Sequence, residues 1–166
     1  MCKSASDTEY TTLPVGAEAN RRPVRDTALG LLANREHSTR QLQDKLRARG
    51  YAPDEIGPVL KALTREGLLS DARFVEAFVH SRRERGSGPL KIRAELRQRG
   101  IEDEALIAAW LDERDPDWLA QAETVREKRF GPALPADYRE KARQMRFLQY
   151  RGFTPEQIRR VLRDEE

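Results

Sequence analysis

Three stretches of this chain repeat one apolar pattern around a glycine, and that repetition limits the fold more than any other feature. TRQLQDKLRARGYAPDEIGPVL, PLKIRAELRQRGIEDEALIAAW and REKARQMRFLQYRGFTPEQIRRVL align on Gly50, Gly100 and Gly152, fifty and fifty-two residues apart. Four residues before each glycine stands Leu46, Leu96 or Leu148, and directly after it Tyr51, Ile101 or Phe153. Six beyond come Ile56, Leu106 and Ile158, and ten beyond come Leu60, Trp110 and Leu162. A helix that ends on a left-handed glycine, an apolar residue that tucks back onto it, and a second helix close behind make a helix-turn-helix pair.

Start signals agree with this reading. Thr154-Pro155-Glu156-Gln157 carries a cap, a first-turn proline and a Gln placed to close a capping box, and Ser38 to Gln41 offers another box. Apolar residues recur three and four apart from Val24 onward, without strand-like alternation, and a further helix precedes each pair at roughly 24–34, 71–85 and 116–130. The expected fold is all-α: three tandem three-helix repeats at 24–69, 70–115 and 116–166, behind a mobile leader at 1–23. Charged residues make up 36% of the chain and hydrophobic ones 38%. Each unit therefore buries little, and neighbours should lean on one another as an elongated array.

Several chemistries lack their residues. Cys2 is the one cysteine, so an intramolecular disulfide is excluded and a reducing, cytoplasmic setting is expected. No apolar run approaches a membrane span. His37 and His80 fall in different units without ligands at metal spacing, and no nucleophile constellation is present, so neither enzyme nor cofactor is expected. Gly86-Ser87-Gly88-Pro89 lacks the Walker pattern and reads as a tight connection that lets the next helix approach another backbone. Asp71 reads as the cap of the fourth helix. Phe74 and Phe78 read as core, and Trp110 and Trp118, near an apolar stripe and a helix start, as core or inter-unit packing. The position eight before the glycine is Leu42, Ile92 and then Gln144, with Met145 expected to take over the packing there.

The net charge of +3 is small, but its distribution is not even. Arg82, Arg83, Arg85, Lys91, Arg93, Arg97 and Arg99 are opposed only by Glu84 and Glu95. A second cluster holds Arg139, Lys141, Arg143, Arg146, Arg151, Arg159, Arg160 and Arg163. Such faces attract phosphates through counterion release, and acidic protein surfaces equally. Arg82 and Arg93 are expected to be surface contacts whose reversal to Glu leaves the helices intact.

The segment from Asp71 to Ile101, DARFVEAFVHSRRERGSGPLKIRAELRQRGI, closely resembles the signature of the RecX family of recombinase regulators. Asp71, Arg73 and Phe74 open it, Arg82, Gly86, Gly88 and Pro89 form its turn, and Ile92, Glu95, Leu96 and Gly100 form its helix. RGFTPEQIRRVL resembles the family's third repeat, and Leu42, Leu46, Gly50 and Leu68 match the first. The resemblance implies a monomeric cytoplasmic regulator that binds RecA filaments on single-stranded DNA. It further implies restraint of their ATPase, strand-exchange and repressor-cleavage activities in DNA repair and the SOS response. An independent DNA-binding protein with tandem helix-turn-helix units is the alternative, because basic helices of that kind also suit a groove reader.

Overall fold

A computed structural model describes residues 22–163; all but the last two residues of the expected leader lie outside them. Among the described residues the elements are helical: α1 Val24–Asn34, α2 Thr39–Arg47 and α3 Pro53–Arg65; α4 Asp71–Glu84, α5 Pro89–Gln98 and α6 Glu104–Trp110; α7 Asp117–Phe130, α8 Tyr138–Arg151 and α9 Pro155–Val161. These are three tandem three-helix units. Pro53, Pro89 and Pro155 each stand in the first helical turn, where a missing amide costs nothing.

The glycines do what their position predicts. Gly50, Gly100 and Gly152 have φ of 83°, 81° and 89°. In all three units the next residue's amide donates to the carbonyl of the leucine four before the glycine: Tyr51 to Leu46, Ile101 to Leu96, Phe153 to Leu148. This is the Schellman closure, and it folds the following apolar side chain onto the helix just ended. Tyr51, Ile101 and Phe153 are all buried.

The cores are unequal. Units 2 and 3 share one cluster running from Phe74 through Ile92, Leu96, Trp118 and Phe153 to Leu162. Unit 1 has its own, built on Leu42, Leu46, Ile56, Leu63 and Leu69. Its joint to unit 2 includes a set of polar contacts. The Ser38 hydroxyl donates to the Arg99 carbonyl at 2.6 Å, and the Arg73 guanidinium meets Glu36 at 2.8 Å. A Cβ placed on Gly100 would lie 2.5 Å from the Arg40 Cβ.

The joint between units 2 and 3 has the same plan. Gly88 donates its amide to the Arg151 carbonyl at 2.7 Å, and Leu90 donates to the Gly152 carbonyl at 3.0 Å. In both joints the start of one unit's middle helix docks on the glycine end of the next unit's middle helix. The 86–89 loop is thus the tight connection expected, and the backbone it approaches is the chain's own. The middle helices differ in length: α2 and α5 begin eleven residues before their glycine, and α8 begins fourteen before, one turn earlier.

Four sequence expectations need correction. Ser70, not Asp71, caps α4, accepting from the Arg73 amide at 3.2 Å. Asp71 instead reaches back to unit 1, where its carboxylate accepts from the Thr39 amide at 2.7 Å at the start of α2. A carboxylate is well placed there, because first-turn amides lack helical partners and carry the positive end of the helix dipole. Ser38 accepts from the Gln41 amide, but the Gln41 Oε1 has no hydrogen-bond partner, so that box is only half formed. The Thr154–Gln157 box closes in both directions. Trp118 is buried, but Trp110, expected in core or inter-unit packing, is 41% exposed and belongs to neither core cluster.

The last correction concerns Gln144, which stays in the core at 1% exposure while Met145 packs at its edge. The Gln144 Oε1 has no hydrogen-bond partner. An orphaned buried acceptor costs its desolvation, so Gln144→Leu, which restores the residue type of units 1 and 2, is expected to raise stability by about 1–2 kcal/mol. Urea unfolding monitored by circular dichroism checks it; an unchanged or lower midpoint contradicts the account.

His37 also sits in the interior, at 2% exposure, with Nδ1 3.0 Å from the Arg35 carbonyl oxygen. Burial holds its pKa below the ordinary histidine value, opposed by that hydrogen bond and assisted by the charges of Arg35 and Lys45. As pH falls, the unfolded chain takes up the proton first. The contribution of this residue is therefore present above about pH 6.5 and lost progressively below it. Thermal midpoints are expected to fall as pH drops below about 6.5, with a flatter profile for His37→Phe.

Candidate interaction surface

The basic residues of unit 2 are mostly occupied within the fold. Arg82 on α4 forms an ion pair with Glu95 on α5 at 2.7 Å, with geometry short of a hydrogen bond, and both side chains are less than a quarter exposed. The Arg82 and Arg99 guanidiniums lie 4.8 and 4.6 Å from the Phe78 ring centroid, and Phe78 stacks on buried Phe74 at 5.6 Å. Arg99 also donates to the Glu95 carbonyl at 2.8 Å. Burial pulls the Arg99 pKa down, against the attraction of Glu95. These arginines tie α5 onto α4 through their stacked planes as well as their charge.

The far side of α5 is neutralised by α6 and the turn after it. Arg93 meets Glu104 at 2.7 Å and Glu113 at 3.2 Å, and Arg97 meets the same Glu104 at 2.5 Å. The Arg97 hydrogen bond, then the two positive charges, hold the Glu104 carboxyl below its usual range. Arg83 lies 4.3 Å from the Trp118 ring centroid and 3.8 Å from Asp117. Reversing Arg82 or Arg93 would therefore set like charges together in half-buried places, so it disturbs the scaffold as well as the surface.

Unit 3 is different. Arg139, Arg143, Arg146 and Tyr150 are spaced four, three and four apart, so they follow one stripe of α8. Tyr150 is 77% exposed, and the Lys91 ammonium of α5 lies 4.8 Å from its ring centroid. Arg143 sits over Phe130 at 5.2 Å with a loose contact to Glu140 at 3.8 Å. Arg151 sits over Phe147 at 5.2 Å and donates to the Arg85 carbonyl at 3.0 Å, closing α8 onto the end of α4. Arg85, Lys91, Arg146, Arg151, Arg159 and Arg160 have no carboxylate partner among the described residues.

This arrangement presents positive charge interleaved with aromatic rings, able to meet phosphates or an acidic protein face. Counting charges along the chain found the two clusters but could not separate them, because the neutralising contacts Arg82–Glu95 and Arg93–Glu104 join residues thirteen and eleven apart across turns. Tyr150 was missed, although its place four residues after Arg146 was a readable signal. Among the described residues, no His, Cys, Asp and Glu group could hold a metal ion. No helix there is long and apolar enough to cross a membrane.

Comparison with known proteins agrees with this architecture unit by unit. Residues 25–63, 70–109 and 115–162 match the models of the first, second and third three-helix domains of RecX. The chain is 55% identical over 143 residues to the regulatory protein RecX of Halorhodospira halophila, covering 86% of this chain and 88% of that one. It is 50% identical over 140 residues to the RecX of Pseudomonas entomophila, covering 84% and 89%. The crystal structure of RecX from Lactobacillus salivarius superposes with a TM-score of 0.72 at 23% identity, over 85% of this chain and 93% of that one. Matched in sequence along three successive domains and in fold over most of its length, the chain belongs to the RecX family of regulatory proteins.

Proposed function

We propose that this chain is a cytoplasmic, non-catalytic monomer that binds a RecA-class recombinase filament on single-stranded DNA and restrains it. Membership of a regulatory family carries the reading. The basic stripe on α8 supports it, with Arg146 lacking a carboxylate partner among the described residues and Arg143 only loosely in contact with Glu140, since such a face attracts phosphates and acidic protein surface alike. The contacts belong to Lys91, Arg143, Arg146, Arg159 and Arg160, with Arg85 and Arg151 at the edge. The paired Arg82, Arg83, Arg93, Arg97 and Arg99 act mainly as framework. On this view the units at 24–69, 70–115 and 116–166 form a fixed scaffold for that face.

Purified protein, added from substoichiometric to equimolar amounts, is expected to depress the single-strand-dependent ATPase of the recombinase from the same organism. Arg143→Glu with Arg146→Glu is expected to weaken filament binding on the order of tenfold at low salt, with a shallower salt dependence and an unchanged circular dichroism spectrum. No effect of the wild-type protein on the ATPase sinks the inhibitory reading. A footprint on duplex DNA without recombinase favours an independent DNA-binding protein instead.

A further inference from the structure

The repeat itself supplies the reference against which one residue stands out. Ten residues after the cap glycine, unit 1 has Leu60 at 6% exposure and unit 3 has Leu162 at 4%. Unit 2 has Trp110 there, 41% exposed. A buried leucine would serve the fold as it does in the other two units. Holding a large aromatic ring half in water is unfavourable for the isolated chain, and tryptophan is the residue most enriched where a partner later covers it.

Trp110 forms one wall of a groove of ≈ 590 Å³ between α4 and α6, with buried Val79 on the floor, exposed Ala77 at the side, and Glu36, Arg73, Glu76, His80 and Arg83 around it. The arginines in the groove have partners: Arg73 meets Glu36 at 2.8 Å, and Arg83 lies 3.8 Å from Asp117 and over the Trp118 ring, while the His80 ring lies 3.3 Å from Glu84. Glu76 makes no ion pair or hydrogen bond among the described residues. A lone carboxylate thus stands beside an open indole face and a small apolar floor. That combination suits a planar cation, whose charge is attracted to both groups and whose aliphatic stem lies on the floor. The chain already contains an example of this chemistry, since Arg83 lies over Trp118 with Asp117 at 3.8 Å.

We propose that this groove takes an arginine side chain of a protein partner, stacked on Trp110 and paired with Glu76. The guanidinium is favoured over an ammonium because it is flat, weakly hydrated and stacks on rings. Resting on the filament reading above, the partner is the recombinase protein. The groove is then a protein contact separate from the basic stripe of α8, with opposite charge preference, and the two surfaces divide the labour between protein and nucleic acid.

The test uses the full chain and measures two affinities side by side, for the assembled recombinase filament and for the same single-stranded DNA without recombinase. Trp110→Ala and Glu76→Lys are each expected to weaken filament binding roughly tenfold or more, with Trp110→Phe intermediate and Glu76→Gln losing about threefold. Affinity for DNA alone is expected to stay within about twofold of wild type, as both side chains lie outside the basic stripe. Circular dichroism and thermal melts of Trp110→Phe and Glu76→Gln guard against misfolding, since both changes are conservative and largely at the surface. If the wild-type chain binds filament and all four variants bind equally well, the groove is not a contact and the proposal is overturned. Equal losses on filament and on bare DNA also overturn it, assigning the groove to nucleic acid. A wild-type chain that does not bind filament at all overturns the filament reading and, with it, the partner named here.

Discussion

Gly152→Ala is expected to cost about 3–5 kcal/mol of stability, the sum of backbone strain and a steric clash that neither partner can relieve. Its φ of 89° is left-handed, and an added Cβ would collide with Lys91, lying 2.6 Å from that residue's backbone nitrogen. The opposing residue gives no slack either: a Cβ on Gly88 would fall 2.5 Å from the Phe153 nitrogen. Two glycines are pressed together so that Gly88 and Leu90 can donate to the Arg151 and Gly152 carbonyls. Gly67→Ala is the control, because Gly67 also has positive φ, 72°, but nothing within 4 Å of its added Cβ. Urea unfolding is expected to show about 1 kcal/mol for the control and several times that for Gly152→Ala. Equal losses would mean that the joint is looser than its geometry requires.

Leu96→Asp is expected to abolish the fold of units 2 and 3 together. Leu96 is fully buried in their common cluster, and its carbonyl receives the Ile101 amide that closes α5. A carboxylate there either stays charged without a partner or takes up a proton at neutral pH, and either outcome costs about 4 kcal/mol or more. Unit 1 has a separate core, so a residual helical signal from α1 to α3 is expected to outlast the loss of near-ultraviolet signal from Trp118. Complete loss of helix would show that the polar contacts through Ser38, Asp71 and Arg73 couple unit 1 to the rest as tightly as apolar packing does.

The features that sequence made legible are those whose causes are local. A glycine with leucine four before it and an apolar residue after it leaves few other ways to end a helix, and all three closures form as read. Asp71 was misplaced because two groups compete for the same role: Ser70, one residue earlier, takes the local cap, and the carboxylate is spent on Thr39, thirty-two residues away. No short-range pattern reveals such a partner. Trp110 reads as packed because it falls near an apolar stripe, and only its solvent exposure sets it apart. Gln144 was read as displaced by Met145, but the helix turns by a fixed angle per residue, so a neighbour one position away faces elsewhere. The basic clusters were visible as composition, while their separation into framework and open face depended on carboxylates brought in across turns.

The extra turn at the start of α8 changes the edge that unit 3 presents to a neighbour. In the two joints, the residue twelve before the cap glycine is Ser38 or Gly88, and each offers a hydrogen to the carbonyl at the end of the next unit's middle helix. Its counterpart in unit 3 is Glu140, which lies inside α8, and its amide is already donated to the Asp137 side chain at 2.8 Å. A joint of the kind that links units 2 and 3, made through a backbone amide, is closed at this position unless that turn unwinds. The stacking rule is thus interrupted at the start of α8, where the extra turn holds the amide that a further joint of this kind would use.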